Sequence, residues 1–244
     1  MSELPYSTII VTGNDAFGFL QAQLAADLSQ LGGHTSLSRV HPDRQQHGVS
    51  GYAILSAWCN PKGRVICLFR VARIEQGYSL TLPTELTDDV VQRLTMFRFR
   101  ANVDFSILPA TIEELGIEGS FDEWRLAKLR AGIPEILQPQ SEHFTPHMLN
   151  LDLLGAVSVD KGCYPGQEIV ARTHFRGVTK RRCLRFESTE PVSPGDKVSD
   201  GQGDVGEILN AIGTDLLAVV PVEKADKPLF VGETKLLHFA LPYQ

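Results

Sequence analysis

Two hydrophobic periods alternate along the first half of the chain. Tyr6–Thr12 is an unbroken β-branched and apolar run closed by Gly13, the pattern of a strand. Asn14 or Asp15 can cap a helix after it, with Phe17, Leu20, Leu24, Leu28 and Leu31 at helical spacing and Gly32-Gly33 as its stop. Residues 34–50 are polar and read as an exposed loop. Their histidines, His34, His41 and His47, have no metal-ligand spacing. Residues 51–59 and 64–74 read as strands joined by the turn Asn60-Pro-Lys-Gly63, and residues 78–82 as a third strand after Gln76-Gly77. Thr84 is placed to cap a helix running to about Met96 with Leu86, Val90 and Leu94 inward, and residues 103–108 return as a strand. This order predicts an α+β fold, with helices on one face of a largely antiparallel sheet.

Residues 109–119 form a short acidic connector. Phe121–Arg130 reads as a helix stopped by Gly132 and Pro134. The stretch carrying His143, Phe144, Pro146, His147 and Asn150 is irregular, and residues 157–159 are strand-like. From about Thr179 the texture changes to short β-like runs separated by Pro and Gly turns, the pattern of a small β-barrel. We therefore expect one region over 1–178 and a C-terminal β-barrel domain over 179–244.

Composition narrows the class. In 244 residues, 43% are apolar and 21% charged, enough for a substantial core. The net charge of −6 argues against a protein that coats nucleic acid. Residues 1–5 lack a secretory pattern and no apolar run is long enough to span a bilayer, so a cytoplasmic protein with no membrane partner is expected. Cys59, Cys67, Cys163 and Cys183 form neither a CxxC pair nor a zinc-type cluster, so no metal site made by this chain alone is expected, and one cysteine sharing a metal or cluster with a partner stays open.

The candidate chemistry lies in Lys161-Gly-Cys-Tyr-Pro-Gly-Gln-Glu168. Pro165 suits the first position of a helix, which would set Cys163 just ahead of a helix N-terminus. There the dipole and Lys161 would both favour thiolate, and Glu168 would offer a carboxylate in the first turns. The bland alternative is a small buried cysteine among glycines that serve only geometry. Gly201-Gln-Gly-Asp-Val-Gly206 matches a dinucleotide fingerprint by letter, but no strand–turn–helix context surrounds it and the glycines read as hairpin turns. Arg172, Arg176, Lys180, Arg181, Arg182 and Arg185 are dense for an acidic protein: either a solvated face or a patch for an anionic client. Trp124 and Tyr6 fit core packing or the stacking of a flat heterocycle.

The Lys161–Glu168 stretch, followed by Val170-Ala-Arg172 and Phe175-Arg-Gly177, resembles the signature of the YgfZ family, folate-binding relatives of the glycine-cleavage T-protein, an aminomethyltransferase. Further matches run in order: Thr12-Gly-x-Asp15, Phe19-Leu-Gln-x-Gln23 with Asp27, Cys59-Asn-Pro-Lys-Gly63-Arg, Trp124-Arg-Leu with Ala131-Gly132-x-Pro134, and Pro146-x-x-Leu-Asn-Leu. Together they cover most of residues 1–182. Ala22 replaces a glycine usual in the family, and the connector from Pro109 to Phe121 is short where longer relatives carry an additional α/β piece.

The resemblance implies a T-protein-like fold whose central hole holds tetrahydrofolate or a one-carbon-substituted folate. It also implies a role in maintaining iron–sulfur enzymes and their cluster-assembly machinery, including cluster-dependent tRNA modification. Cys163 takes the role of the functional cysteine, with Lys161 beside it. Glu168 aligns with the acid that holds the pterin, beside Gln167, and Trp124 and Tyr6 fall at aromatics lining the folate site. Two other functions stay open: a folate-dependent one-carbon transferase, and a folate-independent module presenting Arg172 to Arg185 to a client.

Overall fold

The structure is a computed structural model and describes residues 4–31 and 53–243. The histidine-bearing stretch 34–50 and the Gly32-Gly33 stop lie outside the described residues. The first half forms β1 (Tyr6–Thr12), α1 (Ala16–Gln23), β2 (Ala53–Cys59), β3 (Val65–Ile74), β4 (Gly77–Pro83), α2 (Thr87–Phe97) and β5 (Asp104–Pro109). The strands make one antiparallel sheet in the order β2-β3-β4-β1-β5.

Both faces of this sheet are covered, which explains why its strands lack clean polar alternation. One face, with Ile9, Val11, Phe69, Leu80 and Leu82, packs under α1 and α2 through Leu20, Val90 and Leu94. The other, with Ala57, Val65 and Leu68, meets Ile136, Phe144, Leu149 and Leu151 of the middle segment, and Leu209, Leu217 and Val219 beyond it. The α+β arrangement expected from the sequence is present.

The first helix is shorter than its apolar spacing predicts. It ends at Gln23 because Leu24 turns extended (φ −86°, ψ 150°) and bridges to Trp58, while the Ala25 N–H bonds to the Ala57 carbonyl. Leu28 and Leu31 still reach the core, but from a short 3-10 turn, Leu28–Gln30, capped by Asp27. Thr84 begins another 3-10 turn ahead of α2 and caps nothing. The acidic connector contains a short helix, α3 (Ile112–Leu115). A Thr111–Glu114 capping box builds it, and the Thr-x-x-Glu spacing was readable in the sequence. Residues 157–159 make no strand; the Ser158 N–H bonds only to the Ala25 carbonyl.

After α4 (Phe121–Arg130) and α5 (Gln167–Arg176) come six strands: β6 (Arg181–Ser188), β7 (Lys197–Ser199), β8 (Asp204–Ile212), β9 (Asp215–Pro221), β10 (Leu229–Val231) and β11 (Thr234–Phe239). They close a barrel in the order β10-β11-β6-β9-β8-β7 around Leu184, Phe186, Val198, Ile208 and Leu216. Gly201 and Gly203 sit in the β7–β8 hairpin turn, where the Asp200 side chain accepts the Gly203 N–H at 3.1 Å. Two of the fingerprint-like glycines therefore turn a hairpin, and the third, Gly206, lies within β8 opposite Val198. No described helix is long and apolar enough to cross a membrane.

Candidate functional site

Three sequence motifs far apart in the chain converge on the turn that carries Cys163. Gly166 caps α5 in a left-handed conformation (φ 78°), and a Cβ there would lie 2.5 Å from the Asn60 carbonyl oxygen and 2.7 Å from Gly63 Cα. Only glycine fits that close backbone approach. Gly63 (φ 69°) packs in turn against Ile169 of α5. The Asn60 side-chain oxygen accepts the N–H groups of Lys62 and Arg64, and its amide donates to Glu142, fixing the opposing turn. The Gln167 amide donates to the Lys161 carbonyl at 3.0 Å and ties the signature loop to its own helix.

The Lys161 ammonium, expected beside the thiol, is committed to the α1 loop. It donates to the carbonyls of Leu24 at 2.7 Å and Ala26 at 2.9 Å and lies 5.4 Å from the Tyr164 ring centroid. Burial lowers its pKa to about 8, with the nearby Asp27 charge opposing the shift. Asp27 is itself held by the Gln21 amide at 2.8 Å, so the Gln21 and Asp27 motif builds the loop that receives Lys161. The helix starts at Gln167 rather than Pro165, which leaves Cys163 four residues ahead of it. Cys163 is the exposed cysteine; Cys59, Cys67 and Cys183 are buried free thiols. The reading of Cys163 as a small buried residue fails.

A separate cleft opens on the second face of the sheet, roofed by α4 and residues 133–136. Its walls include Tyr6, Leu68, Arg70, Trp124, Lys128 and Glu135, and it contains about 610 Å³ of empty space, its open mouth included. Tyr6 and Trp124 meet edge to face, with centroids 5.7 Å apart, and the Lys128 ammonium lies 4.3 Å from the Trp124 ring centroid. The Tyr6 hydroxyl and the Lys128 ammonium both donate to Glu135 Oε1. Burial pushes the Glu135 carboxyl upward, but the Lys128 charge and the two hydrogen bonds outweigh it and hold the group below its ordinary pKa. Glu135 Oε2 carries no bond among the described residues, and the buried Trp124 Nε1–H also has no partner among them.

The sequence-derived site residues thus divide into two groups. Tyr6 and Trp124 come together at the cleft. Cys163, Lys161, Gln167 and Glu168 belong to the signature turn and do not line it. Glu168 is exposed on α5, because Val170 is the residue that helix buries and Glu168 stands about 200° around from it. The acid at the cleft is Glu135. It directly follows the matched Pro134, and a lone charge between Ile133-Pro134 and Ile136-Leu137 was the available signal. The basic run also divides. Arg182 makes a two-bond ion pair with Asp152 (2.9 and 2.8 Å), and Arg185 pairs with Glu187 and Asp215. That leaves Arg172, Arg176, Lys180 and Arg181 without an ion pair among the described residues, Arg181 donating instead to the Val205 carbonyl. No group of three or more His, Cys, Asp or Glu among the described residues could hold a metal ion.

No family model matches the chain. A protein of Enterobacter sp. (strain 638) named tRNA-modifying protein YgfZ is 30% identical over 253 residues, spanning 86% of this chain and 77% of that one. Its namesake in Cronobacter sakazakii is 28% identical over 255 residues with the same coverage. The crystal structure of glycine cleavage system aminomethyltransferase T from Bartonella henselae aligns with a TM-score of 0.67 over 98% of this chain and 84% of that one. At 15% identity this likeness is one of fold, and it gives the sheet and barrel their T-protein-like architecture. The identity and coverage of the Enterobacter protein place the chain by sequence: it belongs to the YgfZ family.

Proposed function

We propose that this protein is a tetrahydrofolate-binding accessory factor for iron–sulfur cluster assembly or repair, supporting cluster-dependent enzymes that include tRNA-modifying ones. It binds the folate in the Tyr6–Trp124 cleft and acts through Cys163. The observation that carries the reading is the chemistry of the cleft. The cleft walls include two aromatic rings, a carboxylate with one oxygen unbonded among the described residues, and an indole whose buried N–H has no partner among them. A pterin is flat and presents N–H donors beside a carbonyl acceptor on one edge, which suits a carboxylate oxygen and an indole N–H. Glu135 and Trp124 would hold that edge, and Tyr6 would keep the carboxylate oriented. Tetrahydrofolate supplies one-carbon units carried on its ring nitrogen N5 and the exocyclic nitrogen N10.

Cys163 lies outside the cleft walls on an exposed, backbone-braced turn. Its separation from the cleft favours an accessory factor, with ligand and thiol serving separate tasks, over a one-carbon transferase that reacts at the bound folate. Tetrahydrofolate titrated against intrinsic fluorescence tests the cleft. Trp58 is buried in the main core and gives a constant background, so quenching should vanish in Trp124→Phe. Cys163→Ala should bind folate normally yet fail to restore iron–sulfur enzyme activity in a deletion strain. Full restoration by that variant sinks the role of the thiol, and absence of quenching in the wild type sinks the role of the cleft.

A further inference from the structure

The end of α5 is left bare in a way the folate reading does not use. From Ile169 to Phe186 the chain has six Arg or Lys and no Asp or Glu, in a protein of net charge −6. With Arg182 and Arg185 tied into internal ion pairs, the cations without an ion pair among the described residues are Arg172 and Arg176 on α5, Lys180 just after it, and Arg181, whose guanidinium donates to the Val205 carbonyl. Phe175 stands among them, 67% exposed, touched edge-on by the His174 ring at a centroid distance of 5.0 Å. Arg172, Phe175 and Arg176 fall at i, i+3 and i+4, on one face of the helix. Glu168, a turn earlier on that face, is exposed and marks the strip's acidic end. Val170 is the only residue α5 buries fully.

We propose that this strip binds single-stranded nucleic acid, its cations on successive phosphates and Phe175 stacked on a base. An exposed aromatic interleaved with arginines is the arrangement by which sequence-tolerant strand binders work. An acidic protein surface is the poorer occupant. Ile169, Phe175 and Val178 are the large apolar side chains exposed here, so this face offers a protein partner few apolar anchors. The net charge argues against coating nucleic acid generally, and the strip does not require it, since repulsion elsewhere would orient a strand onto this face. The proposal is independent of folate and of Cys163.

The test is anisotropy of a labelled oligouridylate titrated with the full chain, without folate, between about 50 and 200 mM salt. The wild type should bind more weakly as salt rises. Combined Arg172→Ala, Arg176→Ala and Lys180→Ala should lower affinity at least tenfold and flatten the log–log salt dependence by about 2, near 0.7 per lost phosphate contact on a single strand. Phe175→Ala should lower affinity roughly tenfold with the salt dependence unchanged. The substituted side chains are all exposed, so thermal melts should match the wild type; single charge reversal, Arg176→Glu, gives the same reading if the triple variant melts early. The proposal is overturned by no binding at low salt or by wild-type binding in both charge variants. It is equally overturned by polyglutamate binding that loses affinity in the charge variants while oligouridylate binding ignores Phe175→Ala.

Discussion

Glu135 sets the character of the cleft because its two oxygens are used differently. Oε1 takes bonds from Tyr6 and Lys128, while Oε2 of this cleft-lining side chain carries no bond among the described residues. Removing the phenol by Tyr6→Phe strips a hydrogen bond from a charged, half-buried acceptor and should lower unfolding free energy by about 1–3 kcal/mol, measured by urea denaturation. His147 makes a second residue-scale case. It is 3% exposed and neither ring nitrogen has a partner among the described residues. Burial is the largest cause holding its pKa below 6.5; Arg182 and His174 add to it and Asp152 opposes them. The unfolded chain therefore binds the proton first, so stability should fall as pH drops below about 6.5 and recover above it. In His147→Leu that part of the pH slope should disappear from thermal melts; an unchanged slope would assign it to other groups. The cysteine at the centre of the signature and the two aromatics were legible in the sequence. Glu135 was not, because its role comes from a fold that brings β1 against a loop more than a hundred residues away.

At the level of elements, the signature turn is rigid by backbone contact, and its glycines can be assigned distinct tasks. Gly166→Ala places a Cβ at positive φ against the Asn60 carbonyl and should cost roughly 1–3 kcal/mol, with Cys163 becoming more mobile in nitroxide-label spectra. Gly162 has open space around its Cβ position, so Gly162→Ala should change neither readout. Lys161 is half-buried, and its lowered pKa means the folded state sheds its proton before the unfolded state does. Wild-type stability should therefore rise relative to Lys161→Met between about pH 8 and pH 10.5, the reverse of what a salt-bridged lysine would give. Strands and α4 were readable because period and turn residues agree there. The end of α1 was not, since its apolar spacing continues while tertiary pairing of Leu24 and Ala25 with β2 overrides helical propensity. Pro165 misled for a local reason: Gly166 in the left-handed region is the cap, and the proline stands outside it.

At the scale of the whole molecule, a barrel is joined to a two-faced sheet through the middle segment. Asp215 of β9 receives Arg130 of α4 through two bonds (2.9 and 2.8 Å) and Arg185 of β6 at 3.0 Å. Asn210 of β8 pairs both ways with the Glu135 backbone at 2.9 Å, so the barrel directly positions the cleft's acid. Asp215→Asn should lower unfolding free energy on the order of 2–3 kcal/mol, below the full buried-pair value because Arg130 is half exposed. The alternation of Pro and Gly turns made the barrel legible, but its contribution to the cleft was not, because that rests on the Asn210 side chain pairing with the Glu135 backbone, which no local pattern encodes. In the proposed folate site Glu135 of this cleft, and not Glu168 on α5, holds the pterin edge. Calorimetric titration of tetrahydrofolate into Glu135→Gln and Glu168→Gln tests it most directly. The prediction is at least tenfold weaker binding for Glu135→Gln with wild-type affinity for Glu168→Gln, and the reverse pattern would contradict it.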